Sequence, residues 1–499
     1  MIPVYTILPE TVQTPIDTFR VLKNLSRQCY ILESLEDTGS RGRYTFLGYD
    51  PKLELTCMNG KVRIKNGAEF TIETNDPGKY IRQIIEDNRS PVIPELPPFT
   101  GGLVGYFAYD YIKYSEPTLN LDAADEEKFM DADLMLFDKV VCYDHLENNI
   151  ILIVNIRGDA ATENYNKAKG ELESMIRLIH GGVMAQMPPL RITSPFRELF
   201  DKEHYCEMVE KARRHIYEGD IFQVVLSNRL DADATGSLFE TYRLLRRINP
   251  SPYMFYFSSD DIEIAGASPE TLVRVRGGQA FTFPLAGTRP RGKTPEEDKA
   301  LEAELLSDPK ELAEHNMLVD LGRNDIGKVS DFGTVHVNKY LTIERYSHVM
   351  HIGSTVSGSL RADKTQIDAV DAVLPAGTLS GAPKIRACEI INELEGNKRG
   401  IYGGAIGYIG FTGELDTCIA IRIAYKKNNK VFVRSGAGIV ADSVPETEYQ
   451  ECRNKARAVL DALLHAAAEN TDRTGKPGMT GNAEDANTDG LKSPDGGAR

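Results

Sequence analysis

Two pairs of carboxylates recur at one spacing: Glu311 with Glu314, and Glu448 with Glu451. Residues three apart share one face of a helix, so each pair aims hard oxygen donors in one direction. Two such helices facing each other would suit Mg2+, which takes a few carboxylates plus waters and substrate oxygens. The spacing is also ordinary on a solvated helix face and does not by itself separate the two readings. His351 stands among Val349, Met350 and Ile352, an apolar setting for either a satisfied structural imidazole or a proton carrier. Glu270, in AGASPETLV, follows a small-residue strand, where a carboxyl is either a turn residue or an acid raised toward neutrality. Arg422, in the apolar DTCIAIRIAY, needs an anion, whether a structural partner or a ligand.

The stretch PLAGTRPRG (284–292) puts the inert Ala286 between an apolar strand end and a basic turn bearing Arg289 and Arg291. Glycine-rich pieces recur at GGLVGY (101–106), GTLSGAPK (377–384), YGGAIGY (402–408) and SGAGIV (435–440). Successive N–H groups in such turns can cradle a carboxylate or phosphate, and tight turns are the plain alternative. None matches G-x-x-x-x-G-K-[ST] or a strand-turn-helix G-x-G-x-x-G, so nucleotide binding finds no support.

The elements that must position these residues are legible in outline. Residues 1–180 read as short strands such as 43–51, 61–66 and 148–156, closed by a helix carrying Leu172, Met175 and Ile179. GGVMAQMPPL (181–190) marks a boundary. The division expected is an N-terminal β region with a regulatory role over 1–180, a linker over 181–192, a catalytic region over 193–466 and a disordered tail over 467–499. Tyr205, Met208, Val209, Ala212 and Ile216 trace one helix face stopped by Gly219, and the strand IFQVVLS follows. Helices are expected near 295–306, 309–322, 383–395 and 446–465, with meanders over 252–285 and 401–440. Thr294-Pro295 and Asp308-Pro309 each combine a cap, a first-turn proline and an acid three residues on. Hairpin-linked strands point to an α+β fold with antiparallel sheets flanked by helices.

A net charge of −15 excludes a broad basic face for nucleic acid or an anionic membrane, while local basic residues leave small anions possible. Seven scattered cysteines, none in C-x-x-C, suggest neither a disulfide framework nor a zinc site, and fit a reducing cytoplasm. No leader-like n- and h-regions open the chain, and no apolar run approaches a membrane span. The chain has 22 tyrosines and 18 phenylalanines but no tryptophan.

Taken in order, GDIFQVVLS, NPSPYMFY, ASPE, PLAGTRPRG, AEHNMLVDLGRND, YSHVMHIGS, LPAGTLSGAPKIRA, YGGAIGY, CIAIRIA, GAGIV and RNKA resemble the chorismate-utilising enzymes, most closely the large subunits of anthranilate synthases. ILES (31–34) and GGLVGYFAYD (101–110) extend the resemblance to the N-terminal region. It implies a composite fold and a Mg2+-dependent lyase that converts chorismate and ammonia to anthranilate and pyruvate, the first committed step toward L-tryptophan. It implies Mg2+ on Glu314 and Glu451, with Glu311 and Glu448 as ligands or just behind them. Glu270 would be the acid that protonates the departing 4-hydroxyl, and His351 would assist pyruvate elimination. Gly287, Thr288, Tyr402, Arg422 and the backbone of Gly436, Ala437 and Gly438 would hold the substrate.

In related aminodeoxychorismate synthases a lysine stands where this chain has Ala286, and in isochorismate and salicylate synthases a lysine stands where it has Gln223. Those activities are the alternatives, and lacking both bases the site is expected to take a nucleophile already competent, namely ammonia. No cysteine lies in a Gly-x-Cys-x-Gly elbow, so a separate glutamine amidotransferase subunit is expected, in a heterotetramer of two large and two small subunits. Glu33 and Ser34 with Pro252, Tyr253 and Met254 would line a pocket for L-tryptophan as feedback inhibitor.

Overall fold

Strict alternation along the strands builds the fold. In Lys139–Asp144 and Asn149–Ile156, Val140, Cys142, Ile151 and Ile153 enter one hydrophobic cluster, and Val141, Tyr143, Ile150, Leu152 and Val154 enter another. Successive strand residues point to opposite faces, so a run apolar at every position is a strand buried on both sides. The computed structural model describes residues 1–9, 13–35, 42–346 and 349–474. Within them two antiparallel sheets lie face to face, sharing an aromatic-rich core that includes Tyr30, Phe255 and Tyr425 from one and Val104, Phe137 and Tyr408 from the other. Helices Pro15–Leu25, Ala161–Gly181, Phe239–Ile248 and Pro445–Thr474 cover the first sheet, and Gly78–Asp87, Pro309–Gly327 and Gln366–Val373 cover the second. The architecture is α+β in four layers.

Strands from either side of 181–192 share both sheets. Cys29–Glu33 pairs with Tyr253–Ser258 in the first, and Gly102–Phe107 pairs with Ala405–Gly410 in the second. Residues 183–190 carry no regular element, yet no sheet ends there. Of the glycines in GGLVGY and YGGAIGY, Gly102, Gly105 and Gly407 lie within strands, and Gly403 and Gly404 lie in the turn before Ala405–Gly410. Gly105 sits opposite Gly407, and a Cβ on Gly105 would come 1.9 Å from the Asp133 carbonyl. They permit a close backbone seam.

The capped helices form at Pro295–Ser307 and Pro309–Gly327, with Thr294 and Asp308 accepting from first-turn N–H groups. Among the described residues five α-helices were not expected: Pro15–Leu25, Gly78–Asp87, the single turn Ile112–Ser115, Phe239–Ile248 and Gln366–Val373. The last helix runs to Thr474, past the expected start of the tail at 467, because Ala466, Ala467, Ala468 and Glu469 are strong helix formers. Residues 475–499 lie outside the described chain.

At the joint between these layers, Glu395 is fully buried between two arginines, 2.6 Å from Arg399 and 2.7 Å from Arg434. It also accepts from the Ser227 N–H at 2.8 Å, while Arg399 donates to the carbonyls of Leu379 and Val225, each at 2.6 Å. Removing the one anion from such a cluster leaves uncompensated buried charge. Glu395→Gln is therefore expected to lower unfolding free energy by about 3–5 kcal/mol, read from urea transitions. Glu240→Gln, in the surface pair with Arg243, should cost no more than about 1 kcal/mol.

Candidate active site

A register fault organises the centre of the site. Strand Leu285–Pro290 pairs with Val349–Ser359 as Ala286↔Ile352 and then Thr288↔His351, so Gly287 is an extra residue. Its φ of 65° is the left-handed conformation glycine favours at a bulge. The bulge turns the Gly287 carbonyl onto His351 Nδ1 at 2.9 Å, with Thr288 Oγ1 at 3.1 Å. Because that carbonyl only accepts, Nδ1 carries the proton and Nε2 is left as the acceptor. Burial pulls the His351 pKa below its ordinary value, and this keeps the ring neutral.

Glu270 stands at the entry to strand Thr271–Arg276, anchored through its carbonyl to the Ile419 N–H at 2.9 Å. Burial pushes its carboxyl up to about 7, opposed by a 2.9 Å hydrogen bond donated by Thr378 Oγ1 and by the charges of Arg422 and Lys455. Arg422 adopts a φ of 52° in the kink between Leu415–Ile419 and Ile423–Lys427. Among the described residues its half-buried guanidinium has no hydrogen bond or ion pair, and burial draws its pKa down against the charge of Glu270. A desolvated cation without a counter-ion beside a protonatable acid is a site awaiting an anion.

The glycines of strand Lys430–Ile439 make room for neighbours. A Cβ on Gly436 would lie 3.0 Å from the Tyr402 hydroxyl, and one on Gly438 would lie 2.8 Å from Gln223 Nε2. Gln223 in turn donates to Glu314 Oε1 at 3.3 Å. One connected wall thus joins Gly438, Gln223 and Glu314, and another joins His351, Gly287 and Glu311, whose Oε2 lies 3.2 Å from where a Gly287 Cβ would be.

The four glutamates are not a ready-made cluster. Glu311 is paired with Arg289 at 3.2 Å and Glu451 with Lys455 at 2.7 Å. Among the described residues the three ligand groups converging within 4.8 Å are those of His215, Glu218 and Asp220, where Asp220 is already held by Arg386 at 2.9 Å. Glu314 and Glu448 are both raised, first by burial and also by the charges of Glu311 and Glu451 respectively, with Lys310 and Lys455 opposing in both cases. The two helices therefore send their acids into one shared field. A hard divalent cation would relieve that repulsion, so the oxygen donors fit Mg2+. Arg289 and Arg291 do not face a ligand: Arg289 also binds Glu304 and Asp308, and Arg291 binds Asp298 and the Tyr346 carbonyl.

At the second expected site, Glu33 and Met254 are cross-strand partners. Glu33 accepts from the Tyr242 hydroxyl and, at 2.6 Å, from Arg246. Among the described residues Ser34 Oγ, Glu33 Oε2 and Asn249 Nδ2 are buried without partners, on two segments tied by the Leu35 N–H to the Ser251 carbonyl at 3.2 Å. Tyr253 differs from expectation. Alternation sends its ring to the opposite face, where the hydroxyl meets Asp416 at 2.7 Å and Thr271 at 2.8 Å, so only its backbone can serve this pocket. The sequence reading passed over Thr378 and Lys455, although both lie in motifs it quoted and Lys455 stands four residues after Glu451.

This geometry is that of a chorismate-binding enzyme, and the chain belongs to that family: the profile of the chorismate binding enzymes matches residues 27–461. The relatives are specific. Anthranilate synthase component 1 of Acetivibrio thermocellus is 47% identical over 93% of this chain and 96% of its own, and that of Acinetobacter calcoaceticus is 46% identical over 93% and 95%. The crystal structure of anthranilate synthase component I from Streptococcus pneumoniae superposes with a TM-score of 0.72 at 39% identity, covering 85% of this chain and 93% of that one. The menaquinone-specific isochorismate synthase of Escherichia coli shares the fold, at 19% identity and a TM-score of 0.68.

The Thr378 hydroxyl favours the Glu270 carboxylate, so removing it should raise the pKa of the acid. At constant free ammonia, turnover is expected to fall as pH rises through about 7. In Thr378→Val that limb should move up by about one pH unit, the equivalent of a charged hydrogen bond. A pH–rate profile for both proteins checks it.

Proposed function

We propose that this chain is the synthase subunit of a two-component anthranilate synthase, turning chorismate and ammonia into anthranilate, pyruvate and water. The observation that carries this reading is the unpartnered Arg422 guanidinium beside Glu270, a carboxyl poised to be protonated near neutrality. Arg422, the Tyr402 hydroxyl and the N–H groups of Gly436 to Gly438 bind the substrate's carboxylates, and Gly287 and Thr288 border its ring. Glu270 gives its proton to the leaving 4-hydroxyl, so water departs instead of hydroxide. Ammonia adds to the ring without a protein base, since Ala286 and Gln223 offer none. His351, neutral and with Nε2 free to accept, then takes the ring proton as pyruvate leaves and the ring becomes aromatic. Glu314 and Glu451, supported by Glu311 and Glu448, would hold Mg2+ once Glu451 exchanges Lys455 for the metal. Bound there, the ion supplies charge neutralisation at the substrate's ring carboxylate.

Ammonia is mostly protonated at neutral pH, so a glutamine amidotransferase subunit supplies it, two of each subunit forming the assembly. Among the described residues no helix is long and apolar enough to cross a membrane, and the proposed setting is the cytoplasm. The purified chain should form fluorescent anthranilate from chorismate, ammonium and Mg2+, and from glutamine only when the partner is added. Isochorismate or a 4-amino product would reject the assignment.

The orphaned Ser34 Oγ, Glu33 Oε2 and Asn249 Nδ2 support a regulatory pocket whose polar end takes the amino-acid head of L-tryptophan, with Met254 against the indole. Tryptophan there would weaken chorismate binding, and chorismate would weaken tryptophan binding equally. In Ser34→Arg the concentration for half-inhibition should rise at least about tenfold while uninhibited turnover stays close to that of the parent, the loss of one or two hydrogen bonds to charged groups. Steady-state rates across a tryptophan series decide it.

A further inference from the structure

The β-hairpin formed by Tyr253–Ser258 and Glu263–Ser268 begins and ends beside the two sites described above. Its tip, residues 259–262, lies at the other end and closes a cavity of about 90 Å³ against strands Leu53–Met58, Gly102–Phe107 and Ala132–Phe137. Four acids line it: Glu54, Asp133, Asp260 and Asp261. Asp133 is the unusual one. It is only 3% exposed, its Oδ2 accepts from Ser259 Oγ at 3.0 Å, and its Oδ1 has no hydrogen-bond partner.

The basic residues nearby leave this carboxyl without an ion pair among the described residues. Lys65 is spent on Asp260 at 2.9 Å and Arg63 on Glu69 at 2.8 Å. Lys427 also lines the cavity and feels the charges of Asp261 and Asp133, but its ammonium donates to the Lys128 carbonyl and makes no hydrogen bond to either acid among the described residues. Buried acids are ordinarily paired, and among the described residues nothing meets Asp133 Oδ1. We propose that the cavity binds a small organic cation through a primary ammonium group. The N–H donors would meet Asp133, Glu54 and Asp261, and a short alkyl stem would lie on Met130, Ile262 and the Tyr106 ring.

Two features favour an ammonium over a bare metal ion. Among the described residues these carboxylates do not bring three ligand atoms within 4.8 Å of one another, as a metal would need. The space also exceeds one ion and fits a molecule of a few heavy atoms, since about 10–15 Å³ of it suffices for one water. Burial and the charge of Glu54 push Asp133 up to about 8, so a cation beside it would lower that value and expel a proton at pH 7.

The test is calorimetric titration of the full chain with ethylammonium chloride at pH 7, in two buffers of different ionisation heat. Saturable one-site binding is expected, with proton release revealed by the difference between buffers. Asp133→Asn should weaken it at least about tenfold, the equivalent of one charged hydrogen bond, and tetramethylammonium, which has no N–H, should not bind. Glu54→Gln and Asp261→Asn, nearer the rim, should each weaken binding and keep the test decisive if Asp133→Asn fails to fold. Absence of saturable binding, equal affinity for tetramethylammonium, displacement by MgCl2, or unchanged affinity in the folded variants would each overturn the proposal.

Discussion

The site's geometry hangs on Glu395 and the two guanidinium groups that enclose it. Arg399 holds the backbone beside Thr378 through Leu379 and the backbone beside Gln223 through Val225, and its charge lies 4.6 Å over the Tyr109 ring and 5.9 Å from that of Tyr402. Arg434 leads directly into Gly436 on the adjoining strand. One ion triad therefore fixes the acid's hydroxyl partner, the amide against Glu314 and the glycine wall relative to one another. Such clusters contribute little net stability, because desolvation offsets attraction. What this one gives is placement, since each donor has one fitting acceptor.

The triad also bears on how an acidic protein receives an anionic substrate. The chain's net charge is −15, yet two arginines and one glutamate beneath the site leave an excess positive charge where water cannot screen it. Arg422, Lys310 and Lys455 add to it from the rim. These cations offset the glutamates that Lys310 and Lys455 face, so the local balance is set apart from that of the whole surface.

The elements that carry the candidate site were legible where sequence signals and local structure coincided in short segments. The capped helix at Pro309 delivers Glu311 and Glu314 where the spacing said it would, and the strand after Gly219 delivers Gln223. Long-range pairing was not legible. Nothing near Gly105 announces that it will oppose Gly407, and GGLVGY reads as a turn until its partner strand is known. Helix Phe239–Ile248 was passed over although Phe239, Tyr242 and Leu245 mark one apolar face, and its start lacks a side-chain cap. Tyr253 was assigned by neighbourhood in sequence, which in a strand puts adjacent side chains on opposite faces. The pairing of Glu451 with Lys455 follows from an i, i+4 relation, which was available but went unread.

The interleaving of early and late strands has a further consequence, during synthesis. Strand Gly102–Phe107 gains Ala132–Phe137 on one edge soon after synthesis, but leaves the ribosome about 300 residues before Ala405–Gly410, its partner on the other, roughly 15 to 60 s at ordinary elongation rates. Throughout that interval its outer edge offers unpaired N–H and C=O groups, the template on which strands of other chains assemble. Gly102 and Gly105 make the exposed edge poor in side chains that could guard it. The nascent N-terminal region is thus the stretch of this chain with most to gain from a chaperone that binds open sheet edges.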